Sequence, residues 1–252
     1  MDPAYGAGYE DLYRHHWWWR AREAAILLEL RRLRPVGKFP RILDVGCGNG
    51  LFFDRLSALG TVEGVEPDAT LLDPAGPWRK VIHAVPFDDA FQPDHRFDVI
   101  LMLDVLEHLD DPAGALRHAV ELLAPGGVIV CTVPAFQWLW TSHDVLNHHR
   151  RRYNRPQFRA LAAHAGMRIT GERYLFQWLV PAKLAVRLLE RLRNSPPRPP
   201  TVPPEPLNGF LRIVSRIQER VTSVIPVPFG GSLMVSGVAG RDPIAGPSPQ
   251  TR

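Results

Sequence analysis

The sequence is poor in cysteine and has no long hydrophobic run. Its two cysteines, Cys47 and Cys131, each lie in an apolar segment and not in a spaced framework, which argues against disulfide staples and a zinc ribbon. No apolar run approaches the roughly 20 residues of a membrane-spanning helix. The first residues lack the basic region and apolar core of a signal peptide. We therefore expect a soluble protein of a reducing, cytoplasmic compartment.

Charge is a weak signal in this chain. Thirty Lys and Arg residues against 26 Asp and Glu residues give a net charge of +4. This excess is compatible with anionic small molecules, a membrane surface or nucleic acid, and it selects none of them. No continuous basic stripe runs along the sequence, so a nucleic-acid partner is not expected.

Short apolar segments alternate with helical patterns through most of the 252 residues. Repeated strand–helix units joined by Gly or Pro turns imply a parallel sheet with helices on both faces. We therefore predict an α/β, Rossmann-like fold with a mostly parallel, seven-stranded sheet. One helix is predicted over about 50–59, directly after a glycine-rich turn. The predicted strands cover residues 42–45, 61–65, 80–83, 97–103, 128–133, 167–174 and 232–239.

Composition divides the chain into a main domain and three additions. Between the last two predicted strands lie two amphipathic helical patterns, joined by a proline-rich connector that favours an extended spacer. This segment is predicted to be an inserted helical hairpin that leaves the sheet at the edge of the site and roofs it as a lid. The predicted divisions are a helical leader over 1–37, the main domain over 38–175 and 230–241, the hairpin over 176–229 and a disordered tail over 242–252.

A glycine-rich turn follows the first predicted strand. It reads Asp44-Val-Gly46-Cys47-Gly48-Asn-Gly50, and its glycines allow positive φ angles and a close approach of the backbone to a ligand. A nucleotide-type ligand is expected where such a turn enters a helix. The usual dinucleotide fingerprint, however, places its third glycine one residue later.

Two acids discriminate between nucleotide ligands. Asp44 would repel a pyrophosphate but suits a ligand that carries an ammonium and a sulfonium. Glu66, at the end of the second predicted strand, is placed to accept hydrogen bonds from ribose hydroxyls, as an acid also does in NAD-dependent enzymes. The two acids and the glycine spacing together favour S-adenosylmethionine (SAM).

Several motifs from Leu43 to about Ile169 resemble class I SAM-dependent methyltransferases, particularly the bacterial type 11 and type 12 group. Leu43–Gly50 is similar to the first motif of that family, and Leu106-Glu-His-Leu109 is an element also found in ubiquinone-type O-methyltransferases. Leu122–Gly127 resembles the family's "LLxPGG" turn. More loosely, His16–Arg22 resembles its "HWWFxxR" leader, and the segments 139–144 and 149–153 resemble "LWSxHD…HxRRY".

The resemblance implies a set of cofactor-binding residues. In these enzymes the third strand often ends in an acid that bonds the adenine amino group, whereas this sequence reads Ile82-His-Ala-Val-Pro-Phe-Asp-Asp89, so the role of Asp88 or Asp89 stays open. The turn after the fourth strand contributes three more candidates. The predicted SAM-binding residues are Asp44, Gly46, Cys47, Gly48, Gly50, Glu66, Pro67, Asp88, Leu103, Asp104 and His108.

Catalytic candidates follow the fifth predicted strand, because the site of a parallel sheet lies beyond the carboxyl ends of its strands. Methyl transfer to oxygen benefits from a general base. The predicted catalytic residues are His143, Asp144, His148 and His149, with the pair His143–Asp144 as first choice. The same segment could instead brace the cofactor loop. The spacing of the histidines supplies no third metal ligand, so no metal is predicted, and Arg150–Tyr153 either bind an acidic substrate group or form a solvated helix start.

The acceptor is not fixed by these motifs. The main hypothesis is methyl transfer to oxygen of a small-molecule or lipid-linked acceptor in bacterial biosynthesis, and the sequence leaves the oligomeric state open. N- or C-methylation on the same scaffold and a SAM-binding regulatory subunit remain alternatives. Basic residues beside apolar stripes in 176–229 are compatible with peripheral contact at the inner face of a membrane or with packing on the chain's own domain. Asp104-Val-Leu-Glu replaces the Asn/Asp-Pro-Pro-Tyr/Phe motif of amino-methylating DNA enzymes, so a nucleic-acid substrate is disfavoured.

Overall fold

The computed structural model describes residues 3–34, 37–193, 200–222, 225 and 227–240. The predicted disordered tail over 242–252 and part of the proline-rich connector lie outside these residues. Seven strands of the described chain form one sheet, which confirms the predicted fold class. The strands are β1 (Phe39–Val45), β2 (Gly60–Val65), β3 (Ile82–His83), β4 (Phe97–Leu103), β5 (Leu123–Pro134), β6 (Met167–Leu175) and β7 (Ser232–Ala239).

The strand order is β3-β2-β1-β4-β5-β7-β6. Neighbouring strands pair in parallel from β3 to β5, and β7 is antiparallel to both β5 and β6. The order therefore reverses between β1 and β4, which opens a crevice at their carboxyl ends. In open α/β sheets this switch point is where ligands bind.

Several of the helices begin at residues whose side chains satisfy free backbone N–H groups. Asp111 accepts from Gly114 N at 2.9 Å, and His16 Nδ1 accepts from Trp18 N at 3.1 Å, which splits the leader into two helices. The helices are α1 (Pro3–His15), α2 (Trp17–Leu33), α3 (Phe53–Leu56), α4 (Pro112–Glu121), α5 (Ser142–Leu146), α6 (Arg155–His164), α7 (Leu179–Arg193) and α8 (Glu205–Thr222).

The helix predicted over 50–59 is wrong in length, because only the single turn α3 forms there. Gly48 and Gly50 have φ angles of +53° and +71°, so the chain cannot enter a right-handed helix before residue 52. β2 already begins at Gly60 and limits the other end.

Two apolar layers hold the helices on the sheet. Successive residues of β4 point to opposite faces, as a period of two requires. Leu101 packs in the layer of α2, with Ile26 and Leu30. Met102 packs in the layer of α4 and α6, with Leu116 and Phe158 among its members. The sheet is thereby covered on both faces.

The segment between β6 and β7 forms the two helices α7 and α8. α8 packs along α2, and α7 lies against the turn at Gln137–Leu139. Within the residues that the structure describes, none of the helices is long and apolar enough to cross a membrane.

Three non-glycine residues with left-handed backbone follow three strands at the same edge of the sheet. Asp104, Phe136 and Phe176 have φ angles of +57°, +56° and +58°, and they follow β4, β5 and β6. The end of β6 lies at that edge because Leu175 pairs with Ser232, which pairs with Pro134. Such conformations cost about 1–3 kcal/mol each and cluster at functional sites. This edge is therefore the place to look for one.

Candidate functional site

In the turn after β1, Gly46 is tightly packed, whereas Gly48 borders open space. A Cβ at Gly46 would lie 2.9 Å from Val105 Cγ2, so this glycine is required by packing as well as by its φ of +69°. A Cβ at Gly48 would meet nothing within 4 Å. Gly50 is enclosed by Ile82, Trp78 and Phe53, each about 3.2–3.3 Å from a Cβ placed there. The backbone around Gly48 therefore borders open space that a ligand can approach.

Two buried carboxylates flank this turn. Glu66 accepts hydrogen bonds from Gly48 N and Asp68 N, both at 2.9 Å, and burial still raises its pKa. Burial raises the pKa of Asp44 to about 7, with a further increase from Glu66 and a decrease from the nearby Arg22. Among the described residues none donates a hydrogen bond to the Asp44 carboxylate, which is 5% exposed. A buried acid without a donor is suited to a cationic ligand.

Arg22 joins the leader to the end of β4. Its Nη2 lies 2.7 Å from Asp104 Oδ2, and Thr132 Oγ1 donates to Asp104 Oδ1 at 3.0 Å. The guanidinium also stands 5.8 Å from the centre of the Trp18 ring. The ion pair with Arg22 and the hydrogen bond from Thr132 thus hold Asp104 in its left-handed conformation.

A second network lies beyond β5 and is centred on Asp144, which is fully buried. Arg152 Nε and Nη2 donate to its two oxygens at 2.8 Å, and His149 Nδ1 lies 2.8 Å from Oδ1. Burial alone would raise the pKa of Asp144, but the hydrogen bonds from His149 and Arg152 outweigh it and hold that pKa well below the usual range. Asp144 is therefore a carboxylate that orients the His149 ring.

Residues 150–153 bind the loop after β4 along its backbone. Arg150 Nε donates to His108 O at 2.9 Å, Arg151 Nη2 to Leu109 O at 3.0 Å and Tyr153 Oη to Leu106 O at 3.2 Å. These side chains are engaged by the protein itself. Of the two interpretations of Arg150–Tyr153, the helix start is wrong, because α6 begins only at Arg155.

The hydrogen bonds from residues 150–153 to the loop after β4 bring Glu107, His108 and His149 together. One ligand atom of each lies within 4.8 Å of the others, so the three could hold a metal ion, a grouping that the histidine spacing alone did not reveal. The His108 and His149 rings meet edge to face at 4.9 Å. Glu107 is fully buried, and neither of its oxygens has a hydrogen-bond partner in the described chain. Its burial, and to a lesser extent the negative charge of Asp104, raises its pKa well above the usual range.

The remaining predicted residues fall in three environments. His143 lies beside Asn147 Nδ2 at 3.2 Å, and burial lowers its pKa to about 4. His148 is exposed, with a φ of +54°. Cys47 turns its thiol toward Gly64 and leaves its backbone on the turn. Leu103 is half-buried and Pro67 exposed, beside Asp104 and Glu66, and Asp88 is exposed with its carboxylate accepting from Ala90 N at 2.9 Å.

The switch-point crevice, its two buried acids and its open glycine agree with a family comparison. Residues 18–172, more than half of the chain, match the family model described as a methyltransferase domain. The chain belongs to the class I SAM-dependent methyltransferases. The matched range begins at Trp18, so it includes Arg22 and its contact with Asp104.

The chain is also similar to individual proteins and solved structures. A ubiquinone biosynthesis O-methyltransferase from Aromatoleum aromaticum is 30% identical over 145 residues, which cover 51% of this chain and 61% of that protein. The chain spans about half the length of such curated relatives, between 41% and 61%. A methyltransferase from Haloferax volcanii, solved with the Trm112 methyltransferase activator, has a TM-score of 0.56 at 19% identity and covers 94% of this chain and 95% of that one.

The same fold also carries another chemistry. The [4+2]-cyclase SpnF is 18% identical with a TM-score of 0.56, and the alignment covers 88% of this chain and 83% of that one. The fold alone therefore does not identify a reaction. The groups at the site must do so.

The residues of this methyltransferase fit SAM by their charge. The donor-free Asp44 carboxylate suits the positive charges of an ammonium and a sulfonium, and Glu66 retains lone pairs for hydroxyl donors after accepting two backbone N–H groups. The open side of Gly48 leaves room for the ligand. Arg22 was not among the predicted site residues, although the leader motif contains it.

Proposed function

We propose that this enzyme transfers a methyl group from SAM to a hydroxyl oxygen of a small-molecule or lipid-linked acceptor, with His149 as the general base. The observation that carries the proposal is the buried Asp144 carboxylate, 2.8 Å from His149 Nδ1, on the loop that follows β5. That loop and the cofactor acids belong to the same edge of the sheet, so base and methyl donor would meet there.

The residues that would hold SAM line the crevice between β1 and β4. Asp44 would face the cationic amino-acid end of SAM, and Glu66 would face its ribose. The backbone of Gly48 would line the space between these two parts of the cofactor. SAM supplies a methyl group that is already activated by its positive sulfur. The protein therefore has to align the two reactants and exclude water, which is where most of the rate enhancement of such a displacement arises.

His149 would accept the proton of the acceptor hydroxyl through Nε2. Asp144 accepts the Nδ1–H, which fixes the tautomer with Nε2 as a hydrogen-bond acceptor. Arg152 in turn keeps Asp144 ionised, and the lowered pKa of Asp144 supports this. The imidazolium that forms after proton transfer would be stabilised by the same carboxylate.

The acceptor class rests on the relatives and on the segment 176–229. Those relatives are named as O-methyltransferases of ubiquinone biosynthesis, which supports an oxygen nucleophile. We assign residues 38–175 and 230–241 to the catalytic domain, with 1–37 as leader and 176–229 as an inserted hairpin that contacts the site through α7. Peripheral contact of this hairpin with a membrane would suit a lipid-linked acceptor.

Calorimetric titration with S-adenosylhomocysteine tests the cofactor site first. Asp44→Asn and Glu66→Gln should each weaken binding about tenfold or more, because hydrogen bonds to charged groups contribute roughly 1.5–3 kcal/mol. Glu121→Gln, exposed at the end of α4, is the matched control and should bind like the wild type.

Methyl transfer is then assayed with radiolabelled SAM on catechols with and without an alkyl chain. Label in the organic phase that depends on His149 supports the proposal. Tight binding of S-adenosylhomocysteine with transfer only to amine acceptors would contradict the oxygen assignment. No binding to folded wild-type protein would contradict the assigned cofactor site.

A further inference from the structure

Helix α8 turns its polar side toward the protein. Asn208 is fully buried, where its Oδ1 accepts from Trp17 N at 2.8 Å and its Nδ2 donates to His15 O at 2.8 Å. Further along, Gln218 donates to Gln177, and Glu219 pairs with Arg173. These contacts fix the rotation of the helix about its own axis.

The apolar side of α8 consequently faces away from the protein. Its members recur at intervals of three and four residues, which places them on one stripe of a helix. A surface helix normally buries such a stripe, and a continuous exposed one marks a site of interaction. The stripe consists of Leu207, Phe210, Ile213, Ile217 and Val221, exposed by 50%, 60%, 57%, 55% and 51%.

The charge of the surrounding segment indicates what covers this stripe. Residues 176–229 contain eight Lys and Arg residues and three Glu residues, whereas the whole chain has a net charge of only +4, so the remainder carries −1. Arg212, Arg216 and Arg220 follow one another at intervals of four, each directly before an apolar stripe residue. Long basic side chains in this position can reach lipid headgroups while the stripe enters the acyl region.

We propose that the outward face of α8 docks on a bilayer that contains anionic phospholipids. A second copy of the chain would bring two surfaces of the same positive charge together, which is electrostatically unfavourable. Anionic lipid complements both the apolar stripe and the positive charge of the segment. Helix α7, which precedes α8 in the chain, also exposes apolar side chains, with Leu184 and Leu188 exposed by 43% and 59%.

The same segment also contacts the loop of the proposed site. Glu190 of α7 accepts hydrogen bonds from Ser142 N at 3.2 Å and Ser142 Oγ at 2.5 Å, two residues before Asp144. The docking itself does not depend on methyl transfer. That the acceptor enters from the bilayer is a consequence that rests on the proposed function.

Vesicle flotation of the full chain tests the docking. We expect the wild type to float with phosphatidylcholine vesicles that contain phosphatidylglycerol and not with pure phosphatidylcholine, with loss of binding at high salt. Arg216→Glu should weaken binding about tenfold or more, because it replaces an attraction of the surface by a repulsion. The double variant Phe210→Ser, Ile217→Ser should weaken it at least as strongly, since apolar burial drives insertion.

Arg168→Glu is the matched control. This exposed arginine lies near the start of β6, at the end of the strands opposite the site. It should float like the wild type. Absence of flotation with either vesicle, or equal flotation of all variants, would overturn the proposal. So would a wild-type dimer in sedimentation analysis that the double variant dissociates, because the stripe would then be an interface between copies. Binding of S-adenosylhomocysteine, measured on the same samples, separates failure of docking from failure of the proposed function.

Discussion

The Asp144 carboxylate orients His149 from a position that is itself fixed by Arg152. His149 Nδ1 lies 2.8 Å from Asp144 Oδ1, and Arg152 Nε lies 2.8 Å from that same oxygen. The ring is thus held from one side, and one ligand atom of His149 lies within 4.8 Å of ligand atoms of Glu107 and His108.

Replacing the oriented histidine should abolish catalysis and leave cofactor binding in place. His149→Gln is expected to lower kcat about 10²-fold or more, the usual contribution of a general base. S-adenosylhomocysteine affinity should stay within about threefold of the wild type, because His149 is not among the cofactor-binding candidates. Exposed His164 at the end of α6 offers the control His164→Gln. Full activity of His149→Gln together with an inactive His143→Gln would assign the base to His143.

Cofactor affinity should rise with pH up to about 7 and then level off. Asp44 has a pKa of about 7 in the folded protein, above its ordinary value, because of burial and Glu66, with Arg22 opposing the increase. A cationic ligand requires the carboxylate, so binding below this pKa must release a proton. Titration of SAM between about pH 5.5 and 8.5 measures the slope, which Asp44→Asn should remove. A flat wild-type profile would show that Asp44 does not titrate in this range.

Two glycines in the same turn should respond differently to alanine. Gly46→Ala places a Cβ 2.9 Å from Val105 and requires a left-handed alanine, so both the free energy of unfolding and cofactor affinity should decrease. Gly48→Ala meets no atom and should cost only about 1–2 kcal/mol of conformational strain, yet it fills the open side that the cofactor needs. Urea unfolding and calorimetric titration separate the two effects. Equal loss of stability in both variants would contradict the open environment of Gly48.

The buried Glu107 should make the protein less stable as the pH rises above the pKa of an unfolded glutamate. Its folded pKa lies above the unfolded value, so the folded state keeps a proton that the unfolded chain has released, and stability falls as pH rises toward the folded pKa. Glu107→Gln preserves the shape without the charge. Its stability advantage in urea unfolding should therefore be larger at about pH 7 than at about pH 4.5, with Glu121→Gln showing no such trend.

Methyl transfer should not require a divalent cation. Burial raises the pKa of Glu107, so a cation bound there would first have to displace a proton, which weakens metal binding. EDTA is therefore expected to leave the rate unchanged. A rate that EDTA abolishes and Mg²⁺ or Zn²⁺ restores would instead identify Glu107, His108 and His149 as a metal site.

Strands were predicted better than helices, for physical reasons. The limits of β4 and β7 were predicted to the residue, because a buried strand is a short apolar run bounded by polar or turn residues. The helix over 50–59 was wrong, since the left-handed glycines that shape the cofactor turn also prevent an early helix start.

Contacts between side chains were the hardest features to predict from the sequence. Asp144 is adjacent to His143 in the chain, but rotation about the short helix α5 directs its carboxylate to His149 and Arg152. The backbone carbonyl that Arg150 Nε binds lies 42 residues earlier in the chain, so no local pattern encodes the contact.

Asn208 makes the first helices and α8 inseparable, although about 190 residues lie between them in the chain. Removing the leader would leave a fully buried amide without its two backbone partners, and removing α8 would uncover the junction at His15 and Trp17. Chimeras with related enzymes are therefore expected to need both segments from the same parent. The leader helices and α8 form one structural unit that no contiguous stretch of sequence defines.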